Sequence, residues 1–394
     1  MKKFSKNANL LMICTLADSI TSMFIYTFLL AYILNVSSNG IVNVALFYLV
    51  LHSSMIALSW VAAPLFKRLN KSTILKIGIL FKFAFVLFVV AIGNKVVNYV
   101  YLIAICDGLA EVLFWGGVTP LQAVVTEKQQ LPLYLSVITI IKQIMGLVLG
   151  VLMGLLIDKT GMYIISIVML VVVSLQLILA IFITHPDEKD NQKLQYKEFW
   201  ELSKIKYPQT RATYFNIFLS GFISNFSMII LYFTVITFGT NISLGIFSAI
   251  STLLSMVILI FYNVKKTFWV RYPVSISASI IFSASVLFMI FSLGKISLST
   301  FNVIWAIATV VPTTITSVLR LNITKTQSLE KYNIENVTIS ETYLDFGRVV
   351  GEALLLTMGL VNNYYFDIVC LCLCSVGVVY YFLNTTAVCK KIPV

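Results

Sequence analysis

Apolar residues run along this chain in long blocks, with polar residues gathered between them. Twelve blocks reach the ~20 residues a helix needs to cross a bilayer. They lie at roughly 9–34, 41–66, 73–93, 97–118, 131–157, 161–183, 211–236, 241–262, 271–293, 298–319, 337–361 and 364–384. The pattern predicts an all-α membrane protein with twelve transmembrane helices. Most connections are short. The longest, "THPDEKDNQKLQYKEFWELSKIKYPQTR" at 184–211, separates the sixth and seventh spans. The expected organisation is a six-helix bundle over 1–183, a linker over 184–210 and a second six-helix bundle over 211–394. Within the linker, Phe199, Trp200, Leu202 and Ile205 are expected to form one face of an amphipathic helix lying on the membrane surface.

Composition agrees. The chain is 59% hydrophobic and 11% charged, with a mean hydropathy of +0.95, whereas soluble domains carry about 25% charged residues. The net charge of +12 is a matter of topology. With a cytoplasmic N-terminus, 22 of the 28 basic residues fall on the cytoplasmic side, and only Lys95, Lys159 and Lys295 fall outside. This bias places both termini in the cytoplasm and gives no reason to expect nucleic acid. The N-terminal "MKKFSKNANLLMICTLADS" starts like a signal peptide, but Asp18 interrupts its apolar run and no A-x-A site follows, so a retained first span is expected. The six cysteines lack metal-ligand spacing and read as small apolar packing. His52 and His185 are remote from them.

The halves look weakly related. Span five reads "IIKQIMGLVLGVLMGLLID" and span eleven reads "TYLDFGRVVGEALLLTMGL". Aligning Gly146 with Gly347 also aligns Gly150 with Gly351, with the small-x-x-x-small spacing that lets helices approach closely in lipid. Twelve spans in two sixes, cytoplasmic ends and a polar central loop resemble the major facilitator superfamily of secondary transporters. That family's loop between spans two and three reads like G-x-L-A-D-R-x-G-R. Here "APLFKRLNK" at 63–71 matches at Leu65, Arg68 and Lys71, while Ala63 and Asn70 replace glycines and Lys67 replaces the acid. In the fourth span, "AICDG" at 104–108 keeps Gly108 of an R-x-x-Q-G pattern and has Ala104 for its arginine. Span five has the glycine ridge of the antiporter motif (Gly146, Gly150, Gly154) without its proline. The resemblance implies alternating access between two rocking halves, with spans five and eleven flanking their interface and span one lining the cavity.

Ionisable groups at the bilayer centre are costly, and they face a cavity or one another. "ETYLDFGRVVGE", 341–352, carries four. At 100° per residue, Glu341, Asp345, Arg348 and Glu352 fall within about a 60° arc, in a stripe about 16 Å long. Arg348 has Asp345 at i−3 and Glu352 at i+4, both in pairing range. The stripe is either a charged cavity wall or a static cluster near the cytoplasmic mouth. In span four, Asp107 and Glu111 stand one turn apart with Trp115 continuing the face. Two such carboxylates repel, so one is expected to hold a proton. Lys142, the repeat counterpart of the span-eleven charges, is a candidate partner for them. Asp18 in span one is a candidate cavity acid, or else the partner of Lys82. Lys82 either pairs or snorkels. Asn216, Ser220, Ser224 and Ser227 on span seven, and Trp305, Thr309, Pro312, Thr313 and Thr316 on span ten, either line the cavity or join helices.

The first functional expectation is a proton-coupled exporter of a small amphipathic or cationic compound. Asp18, Asp107, Glu111 and Glu352 would carry protons, and Lys142, Arg348, Asp345, Trp115, Asn216 and Trp305 would bind substrate. The alternative is proton-coupled uptake or exchange of an anionic metabolite or peptide held by Lys142 and Arg348. A lipid-linked flippase, or a membrane receptor that does not transport, is a third class. No phosphate-binding loop or metal cluster points to an enzyme, an ATP-driven pump, a cofactor or a metal. The expected partners are a small molecule, protons and the bilayer, with the protein a monomer in the cell membrane. The abundance of Lys, Asn, Ile and Tyr points to an AT-rich, bacterial genome. In inverted vesicles with an inside-acid gradient, Asp18→Asn is expected to abolish proton release under the exporter reading, and Arg348→Gln to abolish substrate binding under the alternative.

Overall fold

The computed structural model describes residues 4–37, 40–127, 130–184, 193–207, 209–224, 237–238, 246, 249–250, 252–258, 274–292, 294–324, 329–361 and 364–391. The second half of the expected span 211–236, most of 241–262, the start of 271–293, Ser227 and His185 lie outside them. No strand occurs among the described residues.

Ser5 caps the first helix by accepting a hydrogen bond from the Ala8 amide. Helix α1 (Lys6–Met23) passes through a π-helical turn, Phe24–Leu29, into α2 (Leu30–Val36) as one span. Then follow α3 (Gly40–Arg68), α4 (Lys71–Ile92), α5 (Val100–Val125), α6 (Leu131–Thr160) and α7 (Met162–Ile181). The α6–α7 turn is tight because Gly161 adopts φ +81°, a conformation that side chains disfavour. Helix α5 runs on past the expected end at 118 and contains Pro120. After the linker helix α8 (Tyr196–Lys206) come α9 (Thr210–Ser224), α10 (Val274–Phe291), α11 (Lys295–Thr324), α12 (Asn333–Val361) and α13 (Tyr364–Lys391).

Eight of the described helical segments are long and apolar enough to cross a membrane. Helix α12 is as long as they are, but Asp345, Arg348 and Glu352 keep it out of that group. Large apolar side chains face outward along the others. On α7 the row is Val171, Leu175, Ile178 and Ile181, a surface suited to lipid and not to water. The chain is a multi-pass membrane protein.

The start of α1 and the end of α13 lie on one side of the bundle. Near the N-terminus, the Asn7 amide donates to the Thr184 carbonyl and the Tyr134 hydroxyl to the Ala8 carbonyl. Near the C-terminus, Thr385 donates to Asn216. On that same side α8 packs inward. Phe199 is fully buried beside Tyr207, Tyr214 and Tyr332, with Trp200 and Leu202 against the same cluster. Ile205 is 73% exposed and lies off that face. The apolar face of α8 is therefore covered by protein, because the aromatic side chains of α9 and of residue 332 reach it first.

Helices α9 and α12 cross closely. A Cβ built on Gly221 would lie 1.9 Å from the Leu344 carbonyl oxygen, and one on Gly347 would lie 2.0 Å from that of Phe218. The close-approach reading of Gly347 thus finds its partner in α9. Gly146, its expected counterpart, would meet side-chain atoms of Thr252 and Met23 at an ordinary 3.4–3.8 Å. Gly221→Val must therefore push two backbones apart, at about 1–3 kcal/mol or more. Its melting temperature in detergent is expected to fall by several degrees. Gly146→Ala is expected to leave it within a degree, and equal shifts would refute the crossing.

Candidate functional site

Three helices bring their charges together in the N-terminal half. Asp18 comes from α1, Lys82 from α4, and Asp107, Glu111 and Trp115 from one face of α5 at four-residue steps. Lys82 is wholly buried. Its ammonium donates to Asp18 Oδ1 and, at 2.6 Å, to Glu111 Oε1, and it lies 5.1 Å from the Phe114 ring centroid. Of the two readings left open for Asp18, the structure shows the paired one. Lys82 does not snorkel, because two carboxylates meet it inside. The indole N–H of Trp115 donates to Glu111 Oε2 at 2.7 Å. Asp107 has a different neighbour: the Tyr26 hydroxyl donates to its Oδ2 at 2.9 Å. Its other oxygen is buried without a hydrogen bond. Tyr26 sits in the π-helical turn, an irregularity common at functional sites.

A second row of polar contacts joins α3 to α12. Lys67 Nζ pairs with Glu335 Oε1 at 2.8 Å near the side that carries the termini. His52 Nδ1 meets Glu352 Oε1 in the middle. Beyond them a Cβ on Gly359 would touch Ile41 and Val42 at 3.0–3.1 Å. Tyr26, Tyr48 and His52 stack in sequence, with ring centroids 5.9 and 6.0 Å apart. They connect the Asp107 region to Glu352. The stripe 341–352 is thus shared among several partners. Glu341 meets Arg320 Nη2 of α11. Asp345 Oδ1 accepts from Arg348 Nη1 at 2.8 Å. Glu352 turns to α3, although it stands within reach of Arg348 on its own helix.

Between α1, α5, α6 and α11 lies a cavity of about 370 Å³, lined by Trp115, Lys142, Gln143, Thr313, Arg320 and others. Gln122 near the end of α5, Leu135 near the start of α6 and Leu321 near the end of α11 also line it, which places it on the termini side. No carboxylate is among its described lining residues. Lys142 lies over the Trp115 ring, 5.6 Å from its centroid, and makes no ion pair among the described residues. The acids whose field reaches it are Asp18 and Glu111, both held by Lys82.

Asn216 does not line this cavity. It is fully buried, donating to Thr316 at 2.8 Å and accepting from Thr385 and Asn384 at 3.1 and 3.3 Å. The amide joins α9, α11 and α13. Trp305 packs 5.7 Å from the Phe282 ring, also away from the cavity. Thr313 donates to the carbonyls of Thr309 and Val310, and Thr316 to that of Pro312. Among the described residues no cluster of three or more His, Cys, Asp and Glu side chains could hold a metal ion.

Sequence reasoning missed His52, Tyr26 and Arg320. Arg320 reads as a loop residue because it lies at the end of an apolar block, and the signal for His52 is only that a lone imidazole stands in a span. Lys67 did carry a signal. It replaces the acid of the "APLFKRLNK" loop, and Glu335 supplies the opposite charge.

No protein-family model and no curated protein matches the sequence. Solved structures do match the fold. A bacterial homologue of the iron transporter ferroportin, outward-facing with soaked iron, aligns over 98% of this chain and 99% of its own, with a TM-score of 0.65 and 13% identity. The fucose:proton symporter FucP of E. coli aligns over 96% and 97%, with a TM-score of 0.58 and 13% identity. FucP in its outward conformation, a major facilitator superfamily transporter, gives 0.59 over the same shares. The chain has the all-α, twelve-helix fold of major facilitator superfamily transporters.

Removing the cation from the acid cluster leaves two buried carboxylates facing each other, a change that typically costs about 3–5 kcal/mol. Lys82→Met is therefore expected to lower thermal stability in detergent severely, and Asp18→Asn/Lys82→Met to restore part of it. An unchanged melting temperature for the single variant would show that the charges are not coupled as described.

Proposed function

We propose that the protein is a secondary transporter that moves a small hydroxylated anion by alternating access, coupled to protons. The observation that carries the reading is the cavity's charge. Lys142 and Arg320 line it, and among its described lining residues there is no carboxylate. Of the two expectations drawn from the sequence, this favours the anionic solute over the cationic one. The hydroxyls add detail. Thr139, Thr309, Thr313, Thr314 and Ser317 each donate to a carbonyl of their own helix. Their protons are used, so their lone pairs are left to accept. A solute with hydroxyl groups supplies the donors, and its anionic end meets Lys142.

Proton coupling falls to the carboxyls behind the cavity. Asp18 and Glu111 share Lys82. Asp107 accepts from Tyr26 on one oxygen, and its other oxygen is buried without a hydrogen-bond partner among the described residues, which leaves a place for a proton. Glu352, paired with His52 across α3 and α12, is the second proton site. Trp115 touches both systems, hydrogen-bonded to Glu111 and lying beneath Lys142. The moving bodies are 1–183 and 211–394, joined by 184–210, in a bacterial cell membrane with both termini in the cytoplasm. The fucose:proton symporter, which shares the fold, is named for a hydroxylated solute and a proton. The iron named for the ferroportin homologue finds no ligand cluster among the described residues.

Proteoliposomes containing the purified protein, preloaded with unlabelled hydroxy acids and given the labelled acid outside, test this. Counterflow is expected in the wild type and loss of at least about tenfold in Lys142→Gln, since hydrogen bonds to charged groups are worth about 1.5–3 kcal/mol. Transport of lipophilic cations that is indifferent to Lys142→Gln would overturn the anion reading in favour of a cation exporter.

A further inference from the structure

We infer that Arg320 is a second anion contact of the cavity, so that the transported solute is a dianion, and that Glu341 holds the guanidinium while the cavity is empty. This rests on the anion reading above and extends it. Arg320 lines the same cavity as Lys142. Its Nη2 is paired with Glu341, while its Nε–H is buried without a hydrogen-bond partner among the described residues. A guanidinium has five donors in a fixed fork, and a buried donor left unmade is costly. Glu341 engages one nitrogen of the fork, and Arg320 lines the cavity with further donors for a second acceptor.

The backbone beneath Arg320 is fixed. Asn336 donates to the Arg320 carbonyl at 3.2 Å, and the Tyr214 hydroxyl donates to Asn336 Oδ1 at 2.6 Å. The guanidinium is thus presented from a held position. Ser317 and Thr313 stand about one and two turns before it on α11 and line the cavity as acceptors. Lys142 comes from the facing helix α6. An anionic group at each cation with hydroxyl groups between them matches this lining: a hydroxylated dicarboxylate, or a phosphate ester of a short hydroxy acid. Glu341 then acts as the internal competitor. The solute's anionic group takes over the fork, and when the solute leaves, Glu341 recovers it.

Thermal-shift titration of the purified protein in detergent tests this with two pairs of probes: tartrate and 3-phosphoglycerate as hydroxylated polyanions, gluconate and glycerate as monoanions. Wild type is expected to bind the polyanions about tenfold tighter or more. Arg320→Gln is expected to equalise the two classes, and the neutral pair Arg320→Gln/Glu341→Gln to do the same where the single variant folds poorly. Glu341→Gln is expected to tighten polyanion binding, because the competitor is gone. A merely structural salt bridge predicts the reverse. If Arg320→Gln keeps the preference, or Glu341→Gln weakens polyanions, the second contact is refuted. If Lys142→Gln then still abolishes binding of all four probes, the anion reading survives alone. If none of the four shifts the wild type, both readings fall.

Discussion

Lys82 holds the N-terminal half together by standing where hydrocarbon would otherwise surround an isolated charge. It is the point at which α1, α4 and α5 must meet, because Asp18 has no cation within three turns of it on α1 and Glu111 has none on α5. A charge in the middle of a membrane protein is tolerated only with its counter-charges, so the position of one side chain fixes the rotation of three helices about their axes. The consequences extend outward from there. With Glu111 held on one oxygen by Lys82, its other oxygen is free to accept from Trp115, and Trp115 is thereby set as the floor on which Lys142 rests. The cavity inherits its shape from an ion pair it does not touch.

The contact of α3 with α12 is built differently. Its polar pairs, Lys67 with Glu335 and His52 with Glu352, are strung along two helices from opposite halves of the chain. In between, apolar and small residues set the separation. The rocking of halves that the proposed function requires would lengthen some of these contacts and keep others, which would make their chemistry part of that cycle as well as of stability. The acid cluster lies within one half and can stay intact throughout.

Much of the architecture is legible in the sequence, because lipid imposes a simple requirement on length and polarity. The apolar blocks locate most of the described helices to within a few residues, with α13 running on to Lys391, past the expected end at 384. The exceptions have causes. Helix α5 overshoots because its polar end, Thr119 to Gln122, is buried by protein rather than met by water. Ile205 falls off the α8 face because aromatic neighbours, not lipid, cover that helix. The charges were legible as important but not as pairs. Within one helix the Arg348–Asp345 contact follows from spacing. Lys82 with Asp18, Arg320 with Glu341, and His52 with Glu352 need knowledge of which helices touch. Asn216 reads as a lining residue from its stripe, and only the neighbouring helices show that every polar atom of its amide is already engaged.

The hydroxyl ladder of α11 has one more consequence. Thr309, Thr313 and Ser317 are four residues apart, so their oxygens repeat every ~6 Å along the helix axis. That interval is set by the backbone and not by rotamers, since each hydroxyl is pinned to a carbonyl of the turn before. For the hydroxylated solute proposed above, the helix would work as a graduated scale. A chain whose donors fall at that interval would satisfy successive marks. A chain one carbon too short would leave a mark unread. Chain length would thus be sorted by the pitch of a helix, with no side chain shaped to the solute at all.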